Sequence, residues 1–218
     1  MPDSSLAIHQ CLNPGCLFRF PAPISGPSGR HCPKCGWEME RIHSAHPEPD
    51  TKPPSPISNG PLVDALLDNI RSTFNVGSIF RASDGAGLRH LHLCGITPTP
   101  DNPKVAKTAL GAEHSVDWIY HLNAVQAARE LKSQGFHICA LEASPPSCSI
   151  FQVPPDLFAS PILLVVGNEV TGVDSELLNI SDIVLSIPMH GKKESLNVSL
   201  AFGIAAYTLR FSRFVTFP

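Results

Sequence analysis

The pattern of apolar and polar positions divides the chain. Short apolar runs alternate with helical patterns from residue 62 onward, whereas residues 1–42 have almost no apolar periodicity. The apolar runs predict six strands: LVDALLD, HLHLCGI, VDWIYHL, FHICALEA, ILLVVG and DIVLSIP. The other periodic segments predict five helices: NVGSIFRASDGAG, NPKVAKTALGAE, NAVQAARELKSQG, DSELLN and SLNVSLAFGIAAYTLRF. This alternation predicts an α/β fold in which helices cover both faces of a parallel sheet.

A proline-rich segment separates these two parts. Residues 43–61 contain six prolines with Ser, Asp, Lys and Gly, which predicts a semi-extended linker. We therefore expect a cysteine-rich module at 1–42, a linker at 43–61 and an α/β domain at 62–218. No apolar run approaches the ~18 residues that a membrane span needs. The first residues also lack the pattern of a secretory signal, so the sequence predicts a cytoplasmic protein that has no membrane partner.

Four of the seven cysteines lie in the N-terminal module, as a C-x4-C pair and a C-x2-C pair with fifteen residues between them. Two cysteine pairs on short turns are the spacing of a zinc ribbon, in which four thiolates bind one structural Zn²⁺. His9 and His31 would substitute if one cysteine is not a ligand, and the alternative is four reduced thiols on an unstructured tail. The candidate ligands are Cys11, Cys16, Cys32 and Cys35.

Three segments of the α/β domain carry candidate chemistry. The segment 69–87 has Asn75, Gly77 two residues later and Arg81 six residues after the asparagine. The segment 163–173 is an apolar strand that ends in Gly-Asn-Glu, and 187–199 reads IPMHGKKESLNVS, a Gly/Lys loop that opens a helix. A loop of this kind points backbone N–H groups outward and suits a polar ligand. In this order, the three segments resemble the three motifs of the SpoU (TrmH-type) RNA ribose methyltransferases of the SPOUT class.

The resemblance implies transfer of a methyl group from S-adenosylmethionine to a ribose 2′-OH of tRNA or rRNA. It also implies a SPOUT domain with a C-terminal trefoil knot, and a homodimer.

Arg81 is the family's catalytic arginine by position. It would either deprotonate the hydroxyl, which a charged guanidinium does poorly, or stabilise the developing alkoxide. The implied catalytic residues are Arg81, Asn75, Glu169, Ser195 and Asn197. The implied cofactor-binding residues are Gly167, Ile187 and Leu196.

The bulk charge adds no support for an RNA partner. The chain has 16 basic and 19 acidic side chains, a net charge of −3, whereas nucleic-acid-binding domains ordinarily have a basic excess. Local basic clusters are the candidates for contacts with phosphate. In the N-terminal module, aromatic and basic side chains suit unpaired bases and phosphates, but suit equally the module's own packing or docking on the catalytic domain. These side chains are Phe18, Phe20, Trp37, Arg19, Arg30, Lys34 and Arg41.

Other enzyme classes lack their motifs in this chain. The sequence has no G-x-G-x-x-G dinucleotide fingerprint, no Walker loop and no G-x-S-x-G elbow. Two alternatives to an RNA methyltransferase stay open at this point. One is a catalytically inactive RNA-binding relative. The other is a zinc-ribbon interaction protein whose α/β domain is only a dimer scaffold.

Overall fold

The computed structural model of the protein describes residues 6–24, 29–44, 60–143, 146–154, 157 and 159–211. The chain divides into two compact units, Met1–Pro56 and Ile57–Pro218. The expected linker at 43–61 lies almost wholly outside the described residues, so the division into three parts stays a prediction. None of the helices in these ranges has both the length and the apolar character needed to cross a membrane.

The first unit contains a small antiparallel sheet. Its strands are β1 (Leu6–Cys11), β2 (Arg19–Pro23) and β3 (Met39–Ser44), in the order β2-β1-β3. Cys11 ends β1, and the other three cysteines of the module follow on the turns before β2 and β3. The sequence did not predict these strands, because their buried side chains are few and small, such as Ala7 and Ala22.

The second unit is an α/β domain whose described strands form one parallel seven-stranded sheet in the order β6-β5-β4-β9-β7-β10-β8. The fold class predicted from the sequence is confirmed, and every predicted strand and helix of this domain is present. Strand β8 was not predicted because two residues give no periodic signal. The elements are β4 (Val63–Asp68), α1 (Thr73–Ala86), β5 (His90–Cys94), α2 (Pro103–Ala109), β6 (Asp117–His121), α3 (Ala124–Ser133), β7 (His137–Leu141), β8 (Cys148–Ser149), β9 (Ile162–Val166), α4 (Ser175–Ile180), β10 (Ile183–Ser186) and α5 (Val198–Phe211).

Hydrophobic cores lie on both faces of this sheet. Every residue of β4 and β9 is buried, as expected for central strands of a parallel sheet that is covered on both sides. One core includes Phe80 of α1 and Phe202 of α5, and the other includes Ala128 of α3 and Leu177 of α4. The sheet is therefore a middle layer, with its polar groups concentrated at the strand ends.

The carboxyl ends of β4, β7, β9 and β10 lie at one edge of the sheet. The chain leaves this edge through residues 69–72, 142–143, 167–174 and 187–197. In open parallel sheets, ligands bind in the crevice at this edge. All three motif segments reach it, which makes it the place to look for a functional site. The trefoil knot stays a prediction.

Candidate functional site

Glu169 joins the loop after β9 to the start of α1. Its carboxylate accepts hydrogen bonds from the backbone N–H groups of Arg71 at 2.9 Å and Ser72 at 3.0 Å, and from Nδ2 of Asn75 at 2.9 Å. The first N–H groups of a helix have no partner within the helix, and the helix dipole favours negative charge there. One carboxylate therefore connects the first motif to the second.

Asn75 extends this connection to the third motif. Its side-chain oxygen accepts a hydrogen bond from Nδ2 of Asn197 at 3.0 Å. Asn197 also orders the start of α5, because its Oδ1 accepts from the N–H of Ser199 at 2.9 Å. The hydrogen-bonded series Glu169–Asn75–Asn197 thus joins all three motifs. We call these three side chains the asparagine–glutamate network.

An asparagine near the start of a helix is expected to cap it, and a glycine there to let a loop approach closely, but neither expectation holds in the first motif. Asn75 is not the cap of α1, because Ser72 occupies that position and accepts the Asn75 N–H. The Asn75 side chain is consequently available for the network. Gly77 does not serve a loop either. It lies inside α1, where an added Cβ would collide with Thr108 and the carbonyl of Val105 in α2, so it permits close packing of the two helices.

The hydrogen bonds change the acidity of Glu169. Partial burial by itself would raise its pKa, but the bonds donated by the backbone of Arg71 and the side chain of Asn75 favour the ionised form. The net effect is a pKa below the ordinary value of a glutamate. Glu169 is therefore a carboxylate at neutral pH, and its acceptor sites are already in use. Such a group is suited to positioning rather than to general-base catalysis.

A second set of contacts fixes the strand ends behind this network. Nδ2 of Asn168 donates to the carbonyl of Asn69 at 2.7 Å, and Asn69 has φ +56°, a conformation that asparagine tolerates better than most residues. Asp68 accepts from Nδ2 of Asn69 at 2.7 Å and from the N–H of Asp174 at 3.1 Å. Burial raises the pKa of Asp68. These contacts hold the turn after β4 against the loop after β9.

A cavity of about 330 Å³ opens at this edge, between the loop after β9 and the third motif. Its size lies within the range of small-molecule sites, about 300–1,000 Å³. A Cβ on Gly167 would collide with the backbone of Gly172 and Val173, so only glycine lets the loop fold back over the end of β9. Six residues that the resemblance assigned to catalysis or cofactor binding line the cavity, namely Gly167, Glu169, Ile187, Ser195, Leu196 and Asn197.

Glu142, at the end of β7, lines the same cavity, and the sequence did not predict it. Its Oε2 accepts from the N–H of Val173 at 3.0 Å, and its Oε1 from the N–H of Ala143 at 2.8 Å. Gly172, at φ +74°, leaves room for the carboxylate where a Cβ would collide with it. Glu142 therefore anchors the loop that carries Glu169. A contact between residues 31 positions apart leaves no local sequence signal.

Two assigned residues do not line this cavity: Asn75, which is hydrogen-bonded to lining residues through the network, and Arg81, for which the structure gives no such contact among the described hydrogen bonds. Arg81 lies six residues after Asn75 in α1, about 9 Å further along the helix axis and about 120° around it. Arg81 is exposed and shares a helix face with Phe74, seven residues earlier, which is 63% exposed. Among the described residues that line the cavity, Arg81 does not occur.

In the first unit, the four predicted zinc ligands come together. The ligand atoms of Cys11, Cys16, Cys32 and Cys35 all lie within 4.8 Å of one another. The Sγ atoms of Cys11 and Cys35 are 3.4 Å apart, and those of Cys16 and Cys32 are 3.8 Å apart. Tetrahedral Zn²⁺ with Zn–S bonds of about 2.3 Å requires S–S distances of about 3.8 Å. The thiols are thus spaced to hold one Zn²⁺.

Comparison with known proteins gives a consistent result. The model of the SpoU rRNA Methylase family matches residues 63–207. The chain is 35% identical over 152 residues to a tRNA (guanosine(18)-2′-O)-methyltransferase of Aquifex aeolicus, and the match covers 68% of each protein. It is 35% identical over 147 residues to the 23S rRNA (guanosine(2553)-2′-O)-methyltransferase RlmP of Bacillus subtilis, which covers 66% of this chain and 56% of that relative.

Solved structures have the same fold as the α/β unit. The A. aeolicus TrmH/SpoU tRNA modifying enzyme matches with a TM-score of 0.62 and 32% identity, over 70% of this chain and 75% of that one. An rRNA methyltransferase from Sinorhizobium meliloti, crystallised with bound AdoMet, matches with a TM-score of 0.66 and 24% identity, over 72% of this chain and 58% of that one. Because the family model matches residues 63–207, well over half of the chain, and the A. aeolicus relative is 35% identical over 68% of each protein, the chain belongs to the SpoU rRNA Methylase family.

Proposed function

We propose that this protein is an S-adenosylmethionine-dependent RNA methyltransferase that methylates a ribose 2′-OH of tRNA or rRNA in the cytoplasm. The observation that carries the proposal is the cavity whose walls come from the second and third motifs and whose rim is fixed by the asparagine–glutamate network. The family membership and the names of the 35% identical relatives support the reaction type.

The proposed cofactor fits the cavity by size and by charge. Gly167, Ile187 and Leu196 would hold the cofactor largely through backbone groups. Gly167 has no side chain, which leaves its backbone open to such contacts. The ionisable side chains among the described lining residues are Glu142, Glu169 and Glu194, which suit a cationic ligand. The cofactor supplies an activated methyl group on a sulfonium. Glu169 and Asn75 fix the first turn of α1 and so position the RNA-facing side of the site.

Arg81 is proposed to stabilise the charge that develops on the ribose oxygen, since a guanidinium donates hydrogen bonds but has no acceptor while charged. Within one chain, Arg81 and Phe74 lie on an exposed face of α1, away from the cavity. Leu200 of α5 is exposed as well. We propose a homodimer that covers these apolar side chains and brings Arg81 to the cavity of the partner subunit. Light scattering at micromolar concentration should give twice the chain mass, and a monomer would contradict this arrangement.

The cysteine cluster is proposed to bind structural zinc. A unit whose buried side chains are as small as Ala7 and Ala22 has little apolar core of its own, so metal binding would supply much of its folding free energy. The sulfur spacing supports a tetrahedral thiolate site rather than disulfides.

The proposed activity is tested by mapping 2′-O-methyl groups. Purified protein and S-adenosylmethionine are incubated with total RNA from cells that lack the gene, and the methylated riboses are located by sequencing. We expect a discrete site in tRNA or rRNA with the wild-type protein and with Glu176→Gln, which alters only an exposed ion pair with Arg129. We expect none with Glu169→Ala. A wild-type protein that binds cofactor but methylates no RNA of either class would contradict the proposal.

A further inference from the structure

Large apolar side chains lie exposed on the two cysteine turns of the first unit. Trp37 is 54% exposed and Phe18 is 39% exposed, while Leu12 and Leu17 are exposed as well. All four lie within two residues of a predicted zinc ligand. Small domains ordinarily bury such side chains first. We call these four side chains, with the basic residues beside them, the knuckle surface.

Backbone hydrogen bonds hold the two turns together. The N–H of Cys11 donates to the carbonyl of Phe18 at 2.8 Å, and the N–H of Cys32 donates to the carbonyl of Trp37 at 2.7 Å. The N–H of Leu12 donates to the carbonyl of Glu38, next to Trp37, at 3.0 Å. The turns are therefore neighbours, and each of them carries one exposed aromatic side chain, Phe18 or Trp37. The Phe18 ring also lies against Phe20, with 5.6 Å between the ring centroids.

Basic side chains lie close to this surface. From Cys11 to Trp37 the chain contains three of them, Arg19, Arg30 and Lys34, and no acidic residue, whereas Glu38 follows Trp37 directly. All three are exposed. By contrast, residues 57–218 contain 14 acidic and 11 basic side chains. A Zn²⁺ held by four thiolates carries a formal charge of about −2, which offsets part of the positive charge. The excess positive charge near the knuckle surface is therefore modest.

We propose that the knuckle surface binds unpaired nucleotides of the RNA on which the protein acts, by stacking bases on Phe18 and Trp37. This inference rests on the proposed function for its RNA partner. Exposed aromatic rings beside arginine and lysine match the requirements of single-stranded RNA, whose bases offer flat faces and whose phosphates need positive charge. A duplex offers no free base faces, so the surface favours unpaired segments. Since stacking is available to every base, the selectivity is for unpaired structure rather than for sequence.

The test uses the full-length protein and a fluorescently labelled single-stranded RNA 12-mer, with binding measured by anisotropy. Stacking is worth about 1–3 kcal/mol per base, so Phe18→Ala and Trp37→Ala should each weaken binding about tenfold. Phe151→Ala is the matched control, because Phe151 is 55% exposed in the second unit and its loss should leave the affinity unchanged. Lys34→Gln avoids the apolar side chains and should reduce the salt dependence of binding, by about 0.7 in the log–log slope.

The possible outcomes separate this proposal from the proposed function. Equal affinity of the wild type, Phe18→Ala and Trp37→Ala would overturn it, as would equal affinity for a 12-base-pair duplex. A change of oligomeric state in the two alanine variants would show instead that the surface binds a second copy of this chain. If wild-type protein binds the 12-mer through these residues but methylates no RNA, the knuckle proposal stands and the proposed function fails. Calorimetric affinity for the demethylated cofactor should be the same in all variants.

Discussion

The substitution Glu169→Gln tests how much the asparagine–glutamate network contributes to stability. The carboxylate accepts three hydrogen bonds, one on Oε2 from Arg71 and two on Oε1 from Ser72 and Asn75. A glutamine has one oxygen and one NH₂ group, so at least one of these donors will face another donor. Hydrogen bonds to charged groups contribute about 1.5–3 kcal/mol. Because much of Glu169 is exposed to solvent, we expect a loss at or just below the lower end of this range, about 1–2 kcal/mol.

A loss of this size should lower the melting temperature of the α/β unit by about 3–6 °C, measured by differential scanning calorimetry at pH 7. Glu176→Gln is the matched control and should change it by less than about 1 °C, because its ion pair with Arg129 is exposed. Hydrogen bonds lower the pKa of Glu169 in the folded protein. Its stabilisation is therefore present above the ordinary glutamate pKa of about 4.3 and is lost as the pH falls through the folded value. Equal melting temperatures for the two variants at pH 7 would refute the reasoning.

Three further substitutions test other parts of the structure. Arg81→Ala should slow single-turnover methylation by ~10²-fold or more while calorimetric affinity for the demethylated cofactor stays nearly intact, and a near wild-type rate would show that Arg81 is wrongly assigned. Gly167→Ala should weaken cofactor binding at least about tenfold because its Cβ meets the loop backbone, whereas Gly191→Ala, where nothing lies near the added Cβ, should not. Cys32→Ser should reduce bound zinc from about one ion per chain by elemental analysis, whereas Cys148→Ser should retain it, and unchanged zinc in Cys32→Ser would place the metal elsewhere.

The sequence predicted the α/β domain well because the buried residues of its core follow local periodic patterns. Strands such as β4 and β9 are continuous apolar runs, and helices such as α3 place their buried alanines on one side. The strands of the first unit carried no such signal. Their pairing depends on the two cysteine turns and on contacts between distant residues, as between Leu12 and Glu38. Periodicity detects burial along one element, but it does not detect a sheet that is held together at its turns.

Only part of the candidate site was predictable, because sequence motifs identify residues but not the contacts that residues make in the fold. The motif resemblance predicted six of the residues that line the cavity, but it did not predict the bonds among them. The anchoring role of Glu142 depends on a tertiary contact with Val173. Arg81 shows a different limit of sequence analysis. Its spacing in the sequence associates it with Asn75, whereas the geometry of α1 places the two side chains about 120° apart around the helix axis. A sequence spacing predicts a shared element, and only the fold decides which side chains meet.

The distribution of charge is compatible with the proposed action of this acidic chain on RNA. The cavity is lined by three carboxylates and, among the described lining residues, by no basic side chain. Such a site favours a cationic small molecule and repels phosphate. Basic residues occur instead outside the cavity lining, at Arg71 within the first motif and Lys192 within the third. RNA phosphates would therefore be attracted to the rim while the cofactor occupies the interior. The net charge of −3 averages over these two regions and for that reason says little about either.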